Sequence, residues 1–266
     1  MDSKSGSPEG INVSLPDLPA TTLPTVAASA MAWSWRAELA QLLAFLRHPR
    51  RRAVCKQATF GEKLWHLLFL LALKAVITVL IMLVIEPLTE WAGVEEIIDP
   101  KPDLRGFLMV VLIAPIVEEW LFRAGLRSFT YTLIAGPVLI CFTSGSYVVA
   151  IAMIVWALML WLMFRWQSLR SELLVLKQAR KQRARQFLRC YPAVFWIYVM
   201  AFGMLHTQNY GISSWIGLLF LPLVNIPQTL GGMVMGYLRL RNGLSMSIAF
   251  HMCWNAGYMI ALWLLT

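Results

Sequence analysis

The chain has 266 residues, 59% of them hydrophobic and only 14% charged, with 12 Trp and a mean hydropathy of +0.64. A soluble domain carries about 25% charged residues, so there is too little polar surface here to cover a globule; disorder, collagen and coiled coil are excluded too. Four scattered cysteines, Cys55, Cys141, Cys190 and Cys253, form no CxxC pair and indicate neither a zinc ribbon nor a disulfide framework. The composition is that of an all-α polytopic membrane protein.

Residues 1–29 hold four Pro among Ser, Gly and Thr with no apolar periodicity, which predicts a disordered tail. No apolar core follows a basic start, so no secretory signal is expected. Residues 30–65 form a second region. Trp35, Leu39, Leu42, Leu43 and Leu46 recur at helical spacing, and the run ends in His48-Pro49-Arg50-Arg51-Arg52. This predicts an amphipathic interfacial helix on the cytoplasmic leaflet, followed by a basic segment.

A third region, 66–266, contains the spans. Each needs ~20 apolar residues. Leu67–Leu88 is the first, interrupted by Lys74 and ended by Glu86-Pro87; an acid-rich loop, Glu90 to Arg105, follows. Gly106–Tyr131 is the second and carries Glu118, Glu119 and Arg123 in its middle. Thr132–Phe142 is a short third element containing Gly136-Pro137, and Tyr147–Phe164 a clean span. Arg165–Arg189 then holds eight Lys or Arg against Glu172 alone, the pattern of a basic cytoplasmic loop. Pro192–Thr207, Trp215–Leu238 and Leu244–Leu265 complete the set, with Arg239 and Arg241 between the last two. The fold class expected is a bundle of about seven transmembrane helices, range six to eight, preceded by the interfacial helix. Basic loops on the inner side put the N-terminus in the cytoplasm and the acidic loop outside. The basic loops face anionic lipids rather than nucleic acid.

Thirteen of the 14 acids lie at or before Glu119, and there are four histidines. Ionisable groups inside spans are costly and mark function by default. Glu119 and Arg123 are i and i+4 on one helical face and can pair. Glu118 points about 100° away, which leaves its carboxylate for something else, a suitable general base or acid. Phe202 and His206 are i and i+4, as are His251 and Asn255. No HExxH is present, although Glu118, His206 and His251 are types that can hold a metal. No GxSxG elbow occurs, Ser213 and Ser214 are read as an ordinary loop, and every Asp lies at or before Asp103, outside the spans.

EExxxR, then FxxxH, then HxxxN, each within an apolar span, resembles the CPBP family of CAAX proteases and bacteriocin-processing enzymes, which are intramembrane glutamic endopeptidases. The resemblance runs from about Gly106 to the C-terminus. It implies that Glu118 activates the attacking water with His206, that His251 and Asn255 stabilise the oxyanion, and that Glu119, Arg123 and Phe202 support the site. It also implies that neither metal nor cofactor takes part. The 78 residues between Arg123 and Phe202 exceed the family pattern, so the 131–190 region looks inserted.

Two other readings stand beside the peptidase. One is a membrane scaffold or regulator of the same family that keeps the polar cluster to lock its helices. The other is a transporter with a proton relay, but no internal repeat accompanies it. A peptide or membrane-protein substrate, prenylated or not, is expected. The short loops favour a bacterial inner membrane over the endoplasmic reticulum.

Overall fold

A computed structural model describes residues 34–50, 59–97, 103–128, 131–132, 147–170 and 173–265. The predicted tail 1–29 and most of the Thr132–Phe142 element lie outside the described residues. What is described is helical apart from one two-stranded ribbon. Helix α1 is Trp35–Arg47 and α2 is Phe60–Trp91. A Thr59–Glu62 capping box starts α2: Thr59 N–H donates to Glu62 Oε2 at 2.7 Å and Glu62 N–H to Thr59 Oγ1 at 3.3 Å.

Pro87, expected to end the first span, does not; α2 runs through it to Trp91. The Thr89 hydroxyl lies 2.9 Å from the Glu86 carbonyl and 3.1 Å from that of Ile85. The helix stops at Gly93, whose φ of +72° is the left-handed conformation that closes a helix and that glycine adopts without strain.

The chain then enters strand β1, Val94–Glu96, where the sequence predicts only an acidic loop. Its antiparallel partner β2 is Tyr210–Ile212, with Val94 opposite Ile212 and Glu96 opposite Tyr210. Ser213 and Ser214 are not idle loop residues either. The Ser213 hydroxyl donates to the Gly93 carbonyl at 3.0 Å and that of Ser214 to the Ala92 carbonyl at 2.6 Å. Ser214 Oγ also accepts from Gly217 N–H at 3.0 Å, capping the next helix.

The predicted span Gly106–Tyr131 is not one helix. It is α3, Leu104–Phe107, a π-helical stretch Leu108–Ile113, α4, Ala114–Arg123, and a 3-10 turn Gly125–Arg127. Helix α5 is Tyr147–Arg170 and α6 is Leu173–Arg189, so the basic segment is helical rather than a loop. Helix α7, Tyr191–Leu205, passes into a 3-10 turn, His206–Asn209. Trp215–Leu238 divides at Asn225 into α8, Trp215–Val224, and α9, Ile226–Arg241. Pro227 lacks the N–H that a continuous helix would give to the Leu223 carbonyl, and Asn225 N–H bonds that carbonyl instead. Helix α10 is Leu244–Leu265. Arg239 and Arg241, expected between spans, sit in the last turn of α9.

Among the described residues, Phe60–Trp91 and Trp215–Arg241 are long and apolar enough to cross a bilayer. Val79, Leu80, Leu83 and Val84 on α2 are each more than half exposed. A contiguous apolar flank of that kind belongs against lipid rather than water. The core lies between α7 and α9, around Phe195, Val199, Phe202, Met235 and Leu238, with Phe122 of α4 and Phe250 of α10 packed in. Gly236 allows this approach: a Cβ there would lie 2.7 Å from Phe195 Cε2, the close packing that small residues permit between membrane helices.

Candidate active site

Glu118 and Glu119 stand side by side on α4, and the helix turns them to different surroundings. Glu119 is fully buried, 3.5 Å through Oε2 from Arg123 Nε, as the i, i+4 spacing suggests. Its other oxygen lies 3.3 Å from His251 Nδ1. The hydroxyl of Ser247, also fully buried, donates to Glu119 Oε2 and lies 3.0 Å from the Met235 carbonyl. One hydroxyl proton serves only one of the two acceptors at a time. Glu119 thereby joins α4 to α10.

Glu118 faces a cavity of about 460 Å³, within the roughly 300–1,000 Å³ typical of ligand sites. His206, His251 and Asn255 line the same cavity. His251 bridges the two acids, its Nε2 3.8 Å from Glu118 Oε2. Glu118 Oε2 is buried and accepts no hydrogen bond from the described residues, so its lone pairs are available to a water or a substrate.

His206 opens the turn after α7, where its Nδ1 lies 2.8 Å from the Phe202 carbonyl. A carbonyl only accepts, so Nδ1 carries the proton and Nε2 is the free acceptor of the neutral ring. The Phe202 ring organises this side of the site. Its centroid is 4.9 Å from that of His206 and 5.8 Å from that of His251, and the Arg123 guanidinium lies over it at 4.5 Å, in cation–π contact.

Asn255 is placed by a backbone defect. In the π-helical stretch Ala114 N–H bonds the Met109 carbonyl, five residues back. The Val110 carbonyl would then need the N–H of residue 115, which is proline and has none. Asn255 Nδ2 donates to Val110 O instead, at 2.8 Å. The amide nitrogen has two protons, so one remains for a ligand.

Several residues of the site escape the sequence reading. Ser247 carries a signal in retrospect, since Ser247, His251 and Asn255 are spaced i, i+4, i+8 on one face of α10. Lys74, read only as an interruption of the first span, lines the cavity, and so do Glu96 and Tyr210 of the ribbon. Burial, with the Glu96 carboxylate adding to it, pushes the Tyr210 phenol up to about 12, so its proton stays on at neutral pH. Glu38 of α1 is buried away from the cavity, accepting from Arg241 Nη1 at 2.6 Å and from the Tyr237 hydroxyl at 3.0 Å, with His66 Nε2 3.3 Å away.

The family model for Rce1-like type II CAAX prenyl endopeptidases matches residues 100–257. The chain belongs to that family. The Rce1-like family is one of membrane-integral peptidases that act on peptide substrates. The match takes in Glu118, Glu119, Arg123, Phe202, His206, His251 and Asn255 and leaves out α1, α2 and β1. No curated protein and no solved structure matches the chain.

Proposed function

We propose that the protein is an intramembrane glutamic endopeptidase whose catalytic residues are Glu118, His206, His251 and Asn255. The observation that carries this reading is their convergence on one cavity, with Glu118 offering a carboxylate oxygen that no described group bonds. A water held between Glu118 and His206 Nε2 gives up a proton to Glu118 as its oxygen adds to the peptide carbonyl. The negative charge moves onto the carbonyl oxygen, where His251 and the second amide proton of Asn255 donate to it. Because His251 Nδ1 faces Glu119, donation from Nε2 requires both ring nitrogens to carry protons. When the tetrahedral intermediate collapses, the C–N bond breaks, the proton passes from Glu118 to the leaving nitrogen, and an acid and an amine result. No metal enters this scheme, and Glu119, Arg123 and Phe202 hold the groups in place.

In this reading the N-terminus and the basic segments lie on the cytoplasmic side, against anionic lipid. The substrate is a peptide or a membrane-protein segment, prenylated or not. Purified protein in detergent should cleave such a peptide, and Glu118→Gln should reduce the rate to background with the melting temperature unchanged. Full activity in that variant overturns the assignment. A silent Glu118→Gln together with loss of function on deleting 170–186 would favour the scaffold reading.

A further inference from the structure

Two neutral polar side chains of the cavity have no place in the mechanism above, Gln228 of α9 and Thr78 of α2. Gln228 Oε1 and Thr78 Oγ1 are both buried, and neither forms a hydrogen bond among the described residues. The two stand at one level. Helices α2 and α9 run antiparallel, His66 meeting Arg241 and Lys74 meeting Gly231, where a Cβ would lie 3.0 Å from Lys74 Cε. Thr78 is about one turn past Lys74 and Gln228 about one turn before Gly231, the same direction on antiparallel helices. Lys74 itself is engaged elsewhere, its Nζ over the Trp254 ring at 2.8 Å from the centroid.

Buried oxygens ordinarily have partners, and leaving one without costs stability. Two such atoms at one level of a cavity that also holds Glu118 and His206 point to a ligand that supplies the missing bonds. Neither group is charged, so the complement is neutral and polar. A glutamine amide carries an acceptor and donors in one plane. That matches one residue of an extended peptide, whose N–H and C=O leave the chain on the same side. The threonine hydroxyl both donates and accepts.

The helix also gives the reach. The Met235 carbonyl lies 3.0 Å from Ser247 Oγ, whose hydroxyl donates to Glu119, so Met235 marks the catalytic level on α9. Gln228 precedes Met235 by seven residues, ~10 Å at 1.5 Å per residue. An extended peptide covers that distance in about three residues at ~3.3 Å each.

Resting on the endopeptidase reading, we propose that Gln228 is a substrate-binding residue that takes the backbone N–H and C=O of one peptide residue about three positions from the scissile bond. The Thr78 hydroxyl is a second partner of the same stretch. The substrate then lies extended along α9, and a residue without an N–H at that position, proline or an N-methylated one, is disfavoured.

A set of peptides tests this, each derived from one that the wild type cleaves and carrying a single N-methyl group at a different backbone nitrogen on either side of the scissile bond. In wild-type protein one N-methyl group, about three residues from that bond, should raise KM roughly five- to tenfold with kcat little changed, the effect of one lost hydrogen bond. Gln228→Leu should raise KM for the unmodified peptide by a similar factor and pay no further penalty for that N-methyl group. Thr78→Val should weaken binding severalfold and keep the penalty. Glu118→Gln protein with labelled peptides reports the same pattern as Kd without turnover, so a failure of the endopeptidase reading does not hide the answer. The scan in Glu118→Gln protein also needs no change at Gln228, so it decides the matter even if Gln228→Leu does not fold. A penalty that persists in Gln228→Leu overturns the proposal, because the N-methyl group then clashes with something else. So does a scan without a sensitive position about three residues out, or a Gln228→Leu protein that binds as the wild type does. A Gln228 that merely packs the cavity wall would weaken all the peptides alike and leave the N-methyl penalty in place, which also counts against the contact.

Discussion

At Glu119 three groups from two helices meet one carboxylate: Arg123 Nε, His251 Nδ1 and Ser247 Oγ. Removing one charge of a buried pair leaves the other uncompensated, at about 3–5 kcal/mol. Glu119→Gln should therefore lower the melting temperature in detergent and abolish cleavage. The double variant Glu119→Gln/Arg123→Met should regain much of the stability, having no stranded guanidinium, and still not cleave. Losses in melting temperature that simply add across Glu119→Gln, Arg123→Met and the double variant would show that the two residues are not coupled. At this scale the legible contacts were local ones. The Glu119–Arg123 pairing follows from the i, i+4 rule, and so does the shared face of His251 and Asn255. Ser247 and Lys74 were illegible because their partners, Glu119 and Trp254, lie on other helices more than a hundred residues away.

Helix breaks, rather than helices, bring the polar groups into one cavity. Read as continuous spans, the elements carrying Glu118, His206 and Asn255 present those residues at unequal depths. The structure interrupts two of them, at the π-helical stretch before α4 and the 3-10 turn that begins at His206, leaves the helix of Asn255 whole, and divides the neighbouring span at Asn225. Hydropathy registers such breaks poorly because the residues on either side are equally apolar. Pro115 and Pro227 were the available clues, and Pro87, with the same signature, interrupts nothing. The Pro115 break also has a consequence for catalysis. Pro115→Ala supplies the N–H that the Val110 carbonyl lacks, and the backbone then competes with Asn255 for that acceptor. An oxyanion donor that loses its anchor costs rate rather than affinity, and complete removal of one costs about 10²–10³ in kcat. Pro115→Ala should give an intermediate loss, on the order of tenfold in kcat with KM little changed. A wild-type kcat would mean that the Val110 contact does not position Asn255.

Across the whole molecule, α2 is the strut to which both ends of the described fold are tied. Near its start His66 belongs to the Glu38–Tyr237–Arg241 cluster that joins α1 to α9. At its end Ala92 and Gly93 accept from Ser214 and Ser213 beside the β1–β2 ribbon. These ties are 26 residues apart, roughly 39 Å at 1.5 Å per residue, and Lys74, Thr78 and Met82 line the cavity between them. Both ties lay beyond the sequence reading, which treated the Glu90–Arg105 acids as a loop and α1 as lying on the lipid surface. Glu38 is only 2% exposed, so α1 is fastened to the helical body by charge as well as by Leu42 and Phe45. Glu38→Ala should strand Arg241, costing less than the about 3–5 kcal/mol of a fully buried pair because the arginine side chain is 22% exposed. Arg241→Met should cost less again because Glu38 keeps the Tyr237 hydroxyl and His66. The double variant should cost clearly less than the sum, because neither charge is then left alone. Cleavage should persist in all three below their melting temperatures, since none of these groups lines the cavity. Additive losses in melting temperature would instead mean that α1 is held by its apolar face alone.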